Sequence, residues 1–230
     1  MFLKLKFMIV QLENCVKFFS KIILDELKGV CNTWVGGGCV RDYFSVGKLT
    51  SDIDLYFTCV EDFEKCKKYL LEQTTVKIER EEEGKTIIEK YPKPKATKGF
   101  ENDNVLKVKY KGRDYDLVKK YFTDAKACID EFDFTVCCAA VDLSNVYTHD
   151  TFFIDLAKRQ LMINKLPFPL STMWRMQKYI QKGYYMCSGE MLKLSKAIGA
   201  LQTNTEEGER ANIDLQPMSE GGSVRFLTFD

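Results

Sequence analysis

The sequence predicts an α+β fold: a small mixed β-sheet with flanking helices in the first two-thirds of the chain, followed by a helical C-terminal part. Three observations carry that expectation. Short runs rich in β-branched and aromatic residues, at 33–35, 53–60, 105–110 and 115–118, lie between glycine-bearing breaks. The segments between several of them space their apolar residues as a helix does. From Phe153 onward helical spacing takes over, broken at Leu166-Pro167-Phe168-Pro169. The organisation expected is therefore a mixed unit over 1–150, a helical region over 151–202 and a tail over 203–230. The tail is rich in Glu, Gly, Asn and Ser with few large apolar groups, so it should be flexible or loosely packed.

Each element has a local reason. Val16, Phe19, Ile22, Ile23 and Leu27 mark one face of a helix over 11–29, ended by Gly29. Thr33-Trp34-Val35 is a short strand that delivers the chain to Gly36-Gly37-Gly38. A helix starts at Cys39 and is broken by Gly47. A strand over 53–60 follows, then an amphipathic helix over 61–73 with Phe63, Cys66, Tyr69 and Leu70 on one side. Residues 76–82 and 86–89 suggest a weak hairpin. The prolines and lysines of 91–99 suggest a mobile loop. Lys111-Gly112-Arg113 joins two strands as a hairpin turn. Residues 125–131 suggest a short helix, and the apolar run 134–143 a buried strand or a buried helix. Helices are expected over 155–162, 172–185 and 190–201, and a late strand over 224–229.

Composition excludes several chemistries. A net charge of +1 gives no global basic field, so any nucleic-acid surface must be local. The nine cysteines are odd in number, include no C-x-x-C pair, and fit neither a disulfide framework nor a zinc site. Reduced, mostly buried thiols in a cytoplasmic protein are the simpler expectation. The basic and apolar N-terminus, 1–10, is too short to span a membrane and has no small-residue cleavage site after it. With His149 as its one histidine, the chain must rely on carboxylates and cations for any catalysis.

The glycine turn and the carboxylates after it supply such chemistry. Three glycines let a bulky anion approach the backbone, because no Cβ intervenes. The N–H groups of a turn that opens into a helix form an anion site, and Arg41 follows in the first turn. Asp52 and Asp54, at i and i+2, point to one face of their strand, where they can hold a divalent cation, or else simply face solvent. Asp116 either adds a third carboxylate from a neighbouring strand or is an exposed hairpin charge beside Asp114. Asp133 caps or orients the apolar run after it. Arg175 and Lys178, at i and i+3, either reach a nucleotide or form a solvated stripe. Lys93, Lys95 and Lys98 either meet an RNA backbone or only solubilise their loop.

Gly37-Gly38-Cys39-Val40-Arg41-Asp42 with Ser51-Asp52-Ile53-Asp54 resembles the signature of the DNA polymerase β-like nucleotidyltransferases. Within them it is most similar to class II CCA-adding enzymes and bacterial poly(A) polymerases. Asp133-Phe134-Thr135 resembles that family's R-D-F-T segment, Ile154-Asp155-Leu156 its later D-L, and the Arg175, Lys178, Tyr179 helix ending at Gly183-Tyr184 its R-x-x-R-F helix. The four occur in the family's order and span roughly residues 30–185.

The resemblance implies a nucleotidyltransferase head and a helical neck, without the body and tail. It implies transfer of a nucleoside monophosphate from an NTP to a hydroxyl, with Mg2+ or Mn2+ as cofactor and pyrophosphate released. Asp52 and Asp54 would be metal ligands, with Asp116 beside them. Gly36, Gly37, Gly38, Arg41, Asp133, Arg175 and Lys178 would meet the nucleotide. An RNA or tRNA 3′ end is the expected acceptor, with a protein or small molecule as the alternative, and a non-catalytic nucleotide- or RNA-binding relative as the other class. No membrane partner is expected. The departures are specific. Pro169-Leu170-Ser171-Thr172 stands where the family's base-reading D-x-x-R should fall, Phe132 replaces the arginine before D-F-T, and Cys137 the asparagine after it.

Overall fold

The computed structural model describes residues 2–82 and 85–201; of 2–8, 73–82 and 85–94 it describes the backbone. The expected flexible tail over 203–230 and its strand over 224–229 lie outside the described residues. The chain divides into two compact units, the first ending at Lys165 and the second starting at Leu166.

The first unit opens with α1, Phe2–Phe19, which passes through a π-helical turn, Ser20–Leu24, into α2, Asp25–Leu27. It thus starts well before the helix expected over 11–29, and it buries Cys15, Phe19, Ile23, Leu24 and Leu27 as one stripe. The helical path ends where Gly29 adopts φ 79°, a left-handed conformation that costs glycine little. β1, Thr33–Gly36, leads into α3, Gly38–Val46, stopped by Gly47 at φ 70°. β2 is Ile53–Phe57, shorter than expected because α4, Val60–Leu71, starts at once.

β3, Gln73–Glu82, and β4, Lys85–Pro94, form a two-stranded antiparallel hairpin. The mobile loop expected over 91–99 is instead strand: β4 runs to Pro94, and β5 occupies Ala96–Glu101. Proline is tolerated there because β4 lies in a two-stranded sheet, each strand of which keeps one open edge. β6, Val105–Tyr110, and β7, Arg113–Tyr121, make the expected hairpin. Next come α5, Ala125–Ile129, and the apolar run, which is neither one strand nor one helix. It splits into a 3₁₀ turn, Thr135–Cys137, and β8, Ala139–Val141, which pairs with β9, Val146–Thr148. α6, Phe152–Lys158, closes the elements of this unit. The second unit carries α7, Pro169–Gln181, begun by a proline at its first position, and α8, Ser188–Gly199.

The main sheet has seven strands in the order β5-β6-β7-β2-β1-β8-β9, and it is mixed: β2 and β7 are parallel, the other pairs antiparallel. Register fixes what each face carries. Val141, Val35, Leu55, Leu117 and Leu106 lie side by side across five strands, and all five are buried. Each such side chain contributes about 1.5–3 kcal/mol by leaving water. One residue along, the row reads Ala140, Gly36, Asp54, Asp116, Lys107, and by the two-residue period of a strand it faces the other way. The apolar row thus forces the polar row into register.

All nine cysteines are free thiols, and six are buried. Among the described residues no helix is long and apolar enough to cross a membrane.

Candidate functional site

The polar row is the centre of the site. Asp54 stands between Gly36 on β1 and Asp116 on β7, both at paired positions. Asp116 is paired across the hairpin with Lys107 on β6. The Lys107 ammonium lies 3.5 Å from Asp116 Oδ2 and 3.2 Å from Asp52 Oδ2, so it joins the two carboxylates. Asp52, just before β2, is the more exposed at 46%, against 15% for Asp116. Asp116 Oδ1 is buried without a hydrogen-bond partner. Burial pushes the Asp116 carboxyl above its ordinary value, and nearby Asp52 adds to this, while Lys107 opposes it. Burial acts downward on Lys107, but Asp116 and Asp52 outweigh it and hold the ammonium above its ordinary value.

Each glycine of the turn sits where a Cβ would meet something. At Gly36 it would lie 3.1 Å from the Tyr56 ring. At Gly37, with φ 77°, it would lie 3.3 Å from Asp54 Oδ2. At Gly38 it would lie 3.2 Å from Ser51 Oγ and 3.4 Å from Arg41 Nη2. The turn therefore rests directly on Asp54 and on the segment entering β2. The Gly37 N–H donates to the Ala139 carbonyl at 2.9 Å, so it serves the β8 side rather than an anion. What an anion can use is the first turn of α3, whose leading N–H groups have no intrahelical acceptor and whose dipole favours negative charge.

Arg41 and Asp42 form a buried pair beneath the turn. Arg41 is 2% exposed, and its Nε and Nη2 donate to Asp42 Oδ1 at 2.9 and 2.5 Å. Asp42 Oδ2 accepts from the Thr50 N–H at 3.2 Å, the Thr50 hydroxyl at 2.5 Å and the Ser51 hydroxyl at 2.8 Å. Arg41, expected to bond a triphosphate, places its guanidinium on Asp42 and 3.4 Å from a Cβ at Gly38. Asp42, which belongs to the sequence motif but was given no role there, fastens the approach to β2. Burial raises its carboxyl, but Arg41, Thr50 and Ser51 outweigh that and hold it below its ordinary value.

Phe132 packs over the other side, 3.5 Å from a Cβ at Gly36, with its ring 5.5 Å from that of Tyr56. Asp133 is buried at 7% exposure, and its Oδ1 accepts from the Phe134 N–H at 3.0 Å. The D-F-T segment is tied down by two neighbours. Asn164 Nδ2 donates to the Phe132 carbonyl at 2.8 Å, and its N–H donates to that of Asp133 at 2.7 Å. Thr135 Oγ1 donates to Asp155 Oδ2 at 2.8 Å. The separate D-F-T and D-L motifs thus meet in one hydrogen bond.

Gly36, Gly37, Asp52, Asp54 and Asp116 come together, with Gly38 on Ser51 and Arg41 behind them. Asp133 lies in the neighbouring segment. Arg175 and Lys178 are exposed on α7 of the second unit, where Arg175 Nη2 donates to Thr172 Oγ1 at 3.5 Å. Lys95 pairs with Glu72 at 3.5 Å and lies over the Tyr69 ring, and Lys98 pairs with Glu101 at 2.6 Å. The Lys93 side chain lies outside the description. Lys107 was missed by sequence reading; its signal was the alternation Leu106-Lys107-Val108, which sets a charge opposite the core face.

The carboxylate oxygens suit a hard divalent cation. Among the described residues, however, no three His, Cys, Asp or Glu stand close enough to hold a metal ion by themselves.

The fold is similar to that of CCA-adding enzymes. A CCA-adding enzyme in complex with ATP superimposes with a TM-score of 0.52 and 16% identity, over 84% of this chain and 45% of that one. The Bacillus stearothermophilus CCA-adding enzyme in complex with CTP gives 0.50 and 14%, over 79% and 44%. The chain itself belongs to the Gabija anti-defense 2 family, whose model matches residues 10–159. Gabija anti-defense 2 of Bacillus phage SPbetaL7 is 34% identical over 91 residues, which are 38% of this chain and 23% of that protein. Each of these matches covers less than half of the other protein's length.

Proposed function

We propose that this chain is a metal-dependent nucleotidyltransferase that acts against the Gabija defence system, moving a nucleoside monophosphate from an NTP to a hydroxyl of its target and releasing pyrophosphate. The observation that carries the reading is the row Gly36, Asp54, Asp116 across three adjacent strands, with Gly37 resting on Asp54.

The residues fit magnesium bound together with substrate. Magnesium is commonly held by one or two carboxylates plus the phosphates of the nucleotide, and Asp54 with Asp116 meets that requirement. The buried, unpartnered Oδ1 of Asp116 favours it. Asp52 stands beside them, with its Oδ2 on Lys107. When bound, the ion neutralises charge on the phosphates and aligns the acceptor oxygen. The chain's own groups do the rest. The first turn of α3 receives the triphosphate through its N–H groups. Arg41 and Asp42 keep that turn against the start of β2.

The acceptor expected from the sequence was an RNA or tRNA 3′ end. Family membership favours a component of Gabija instead, and Pro169-Leu170-Ser171-Thr172 in place of the base-reading pair agrees with a different task. The test is incubation of the full chain with each α-labelled NTP, Mg2+ and purified Gabija components. Label on a Gabija component, lost in the Asp52→Ala/Asp54→Ala double variant, is the expected result. Label that persists in the double variant, or that appears on no component, sinks the reading.

A further inference from the structure

Lys107 is the one group of the polar row that the chemistry above leaves unused. It is 24% exposed and comes from β6, directly opposite Asp116 in the ladder. Its ammonium contacts Asp52 Oδ2 and Asp116 Oδ2. A cation between two carboxylate oxygens, held by a strand of the main sheet, has the charge and partners of a metal ion in a two-ion site. Its placement divides Asp116: Oδ2 goes to Lys107, and Oδ1 stays buried without a partner.

We propose that Lys107 is the built-in second cation of this site, so that the carboxylates take one divalent ion where a two-metal transferase takes two. Lys107 is thus a positioning residue: it holds Asp52 and Asp116 together and leaves Asp116 Oδ1 for the ion that arrives with the nucleotide. The inference rests on the nucleotidyltransferase reading and makes it more specific. It also gives the carboxylates a partner in the absence of substrate, since like charges so close destabilise one another.

The experiment counts ions rather than turnover. The full chain is dialysed to equilibrium against Mn2+ and each α,β-methylene nucleoside triphosphate in turn, and bound Mn2+ is counted per bound nucleotide, with electron paramagnetic resonance reporting the free ion. The wild-type chain should hold one Mn2+ per nucleotide. Lys107→Met should hold two, and Lys107→Arg, which keeps the charge, should stay at one. Circular dichroism confirms that each variant is folded; should Lys107→Met fail to fold, the wild-type count and Lys107→Gln decide. Two ions in the wild type, or one in a folded, uncharged variant at position 107, overturns the role of Lys107 and leaves the transferase reading intact. No Mn2+-dependent nucleotide binding by the wild type removes both.

Discussion

Single residues in this protein divide into those that face the site and those that hold it in place. Arg41 and Asp42 belong to the second kind. Arg41 is 2% exposed, so its charge is sustained only by Asp42 and its other buried contacts. Removing one partner of a buried ion pair costs roughly 3–5 kcal/mol, because the other charge is left behind. Asp42→Asn should therefore lower the stability measured by urea unfolding by about that much. The pH dependence has a definite sign. The folded-state pKa of Asp42 lies below its ordinary value of 3.8, so its contribution is present above that value. It is lost as pH falls through the lower folded value. Unfolding midpoints of the wild type should drop across that acid window, and those of Asp42→Asn should drop less. Equal slopes in the two proteins would mean that Asp42 is not held as the structure describes.

Elements show how two distant motifs become one support. The segment carrying Asp133-Phe134-Thr135 lies against residues 162–164, with Thr135 N–H donating to the Met162 carbonyl and Phe134 bridged to Ile163. Asn164 secures it, with Nδ2 on the carbonyls of Asp130 at 3.2 Å and Phe132 at 2.8 Å. Asn164→Ala leaves both carbonyls short of a donor and should cost about 1–3 kcal/mol. Because Phe132 packs against the glycine turn, the same variant should weaken nucleotide binding, read as a larger Kd by equilibrium dialysis. A variant as stable and as tight-binding as the wild type would show that this clasp does not matter. Sequence reading placed the D-F-T and D-L motifs but not their contact. It missed the end of β4 and all of β5 because Pro92, Pro94 and the lysines of that stretch resemble a loop. An edge strand tolerates the same residues, since one of its sides needs no ladder bonds.

For the whole molecule, the question is whether the nucleotide and the metal act together. A ligand that binds only the folded state raises stability by about 2.7 kcal/mol at a hundred times its Kd. For a unit of this size that corresponds to a rise of several degrees in Tm. The full chain should show such a rise with an NTP and Mg2+ together and much less with either alone. A rise that ignores Mg2+ would mark a nucleotide-binding module instead of a transferase. The net charge of +1 gives no general attraction to nucleic acid, consistent with an acceptor recognised by a local surface.

The sequence by itself determined the local parts of this protein. The glycine turn, the strand that alternates Ile53, Asp54, Leu55, and the hairpin turn at Lys111-Gly112 all follow from conformational rules that act within a few residues. Tertiary structure alone decided their company. The parallel pairing of β2 with β7 sets Asp116 beside Asp54, and the antiparallel pairing of β6 with β7 adds Lys107 to them. It also turned Arg41 inward to Asp42. The physical reason is register. A buried apolar row, Val35, Leu55, Leu117 and Leu106, aligns strands far apart in the chain, and the polar residues one step along are carried into place with it.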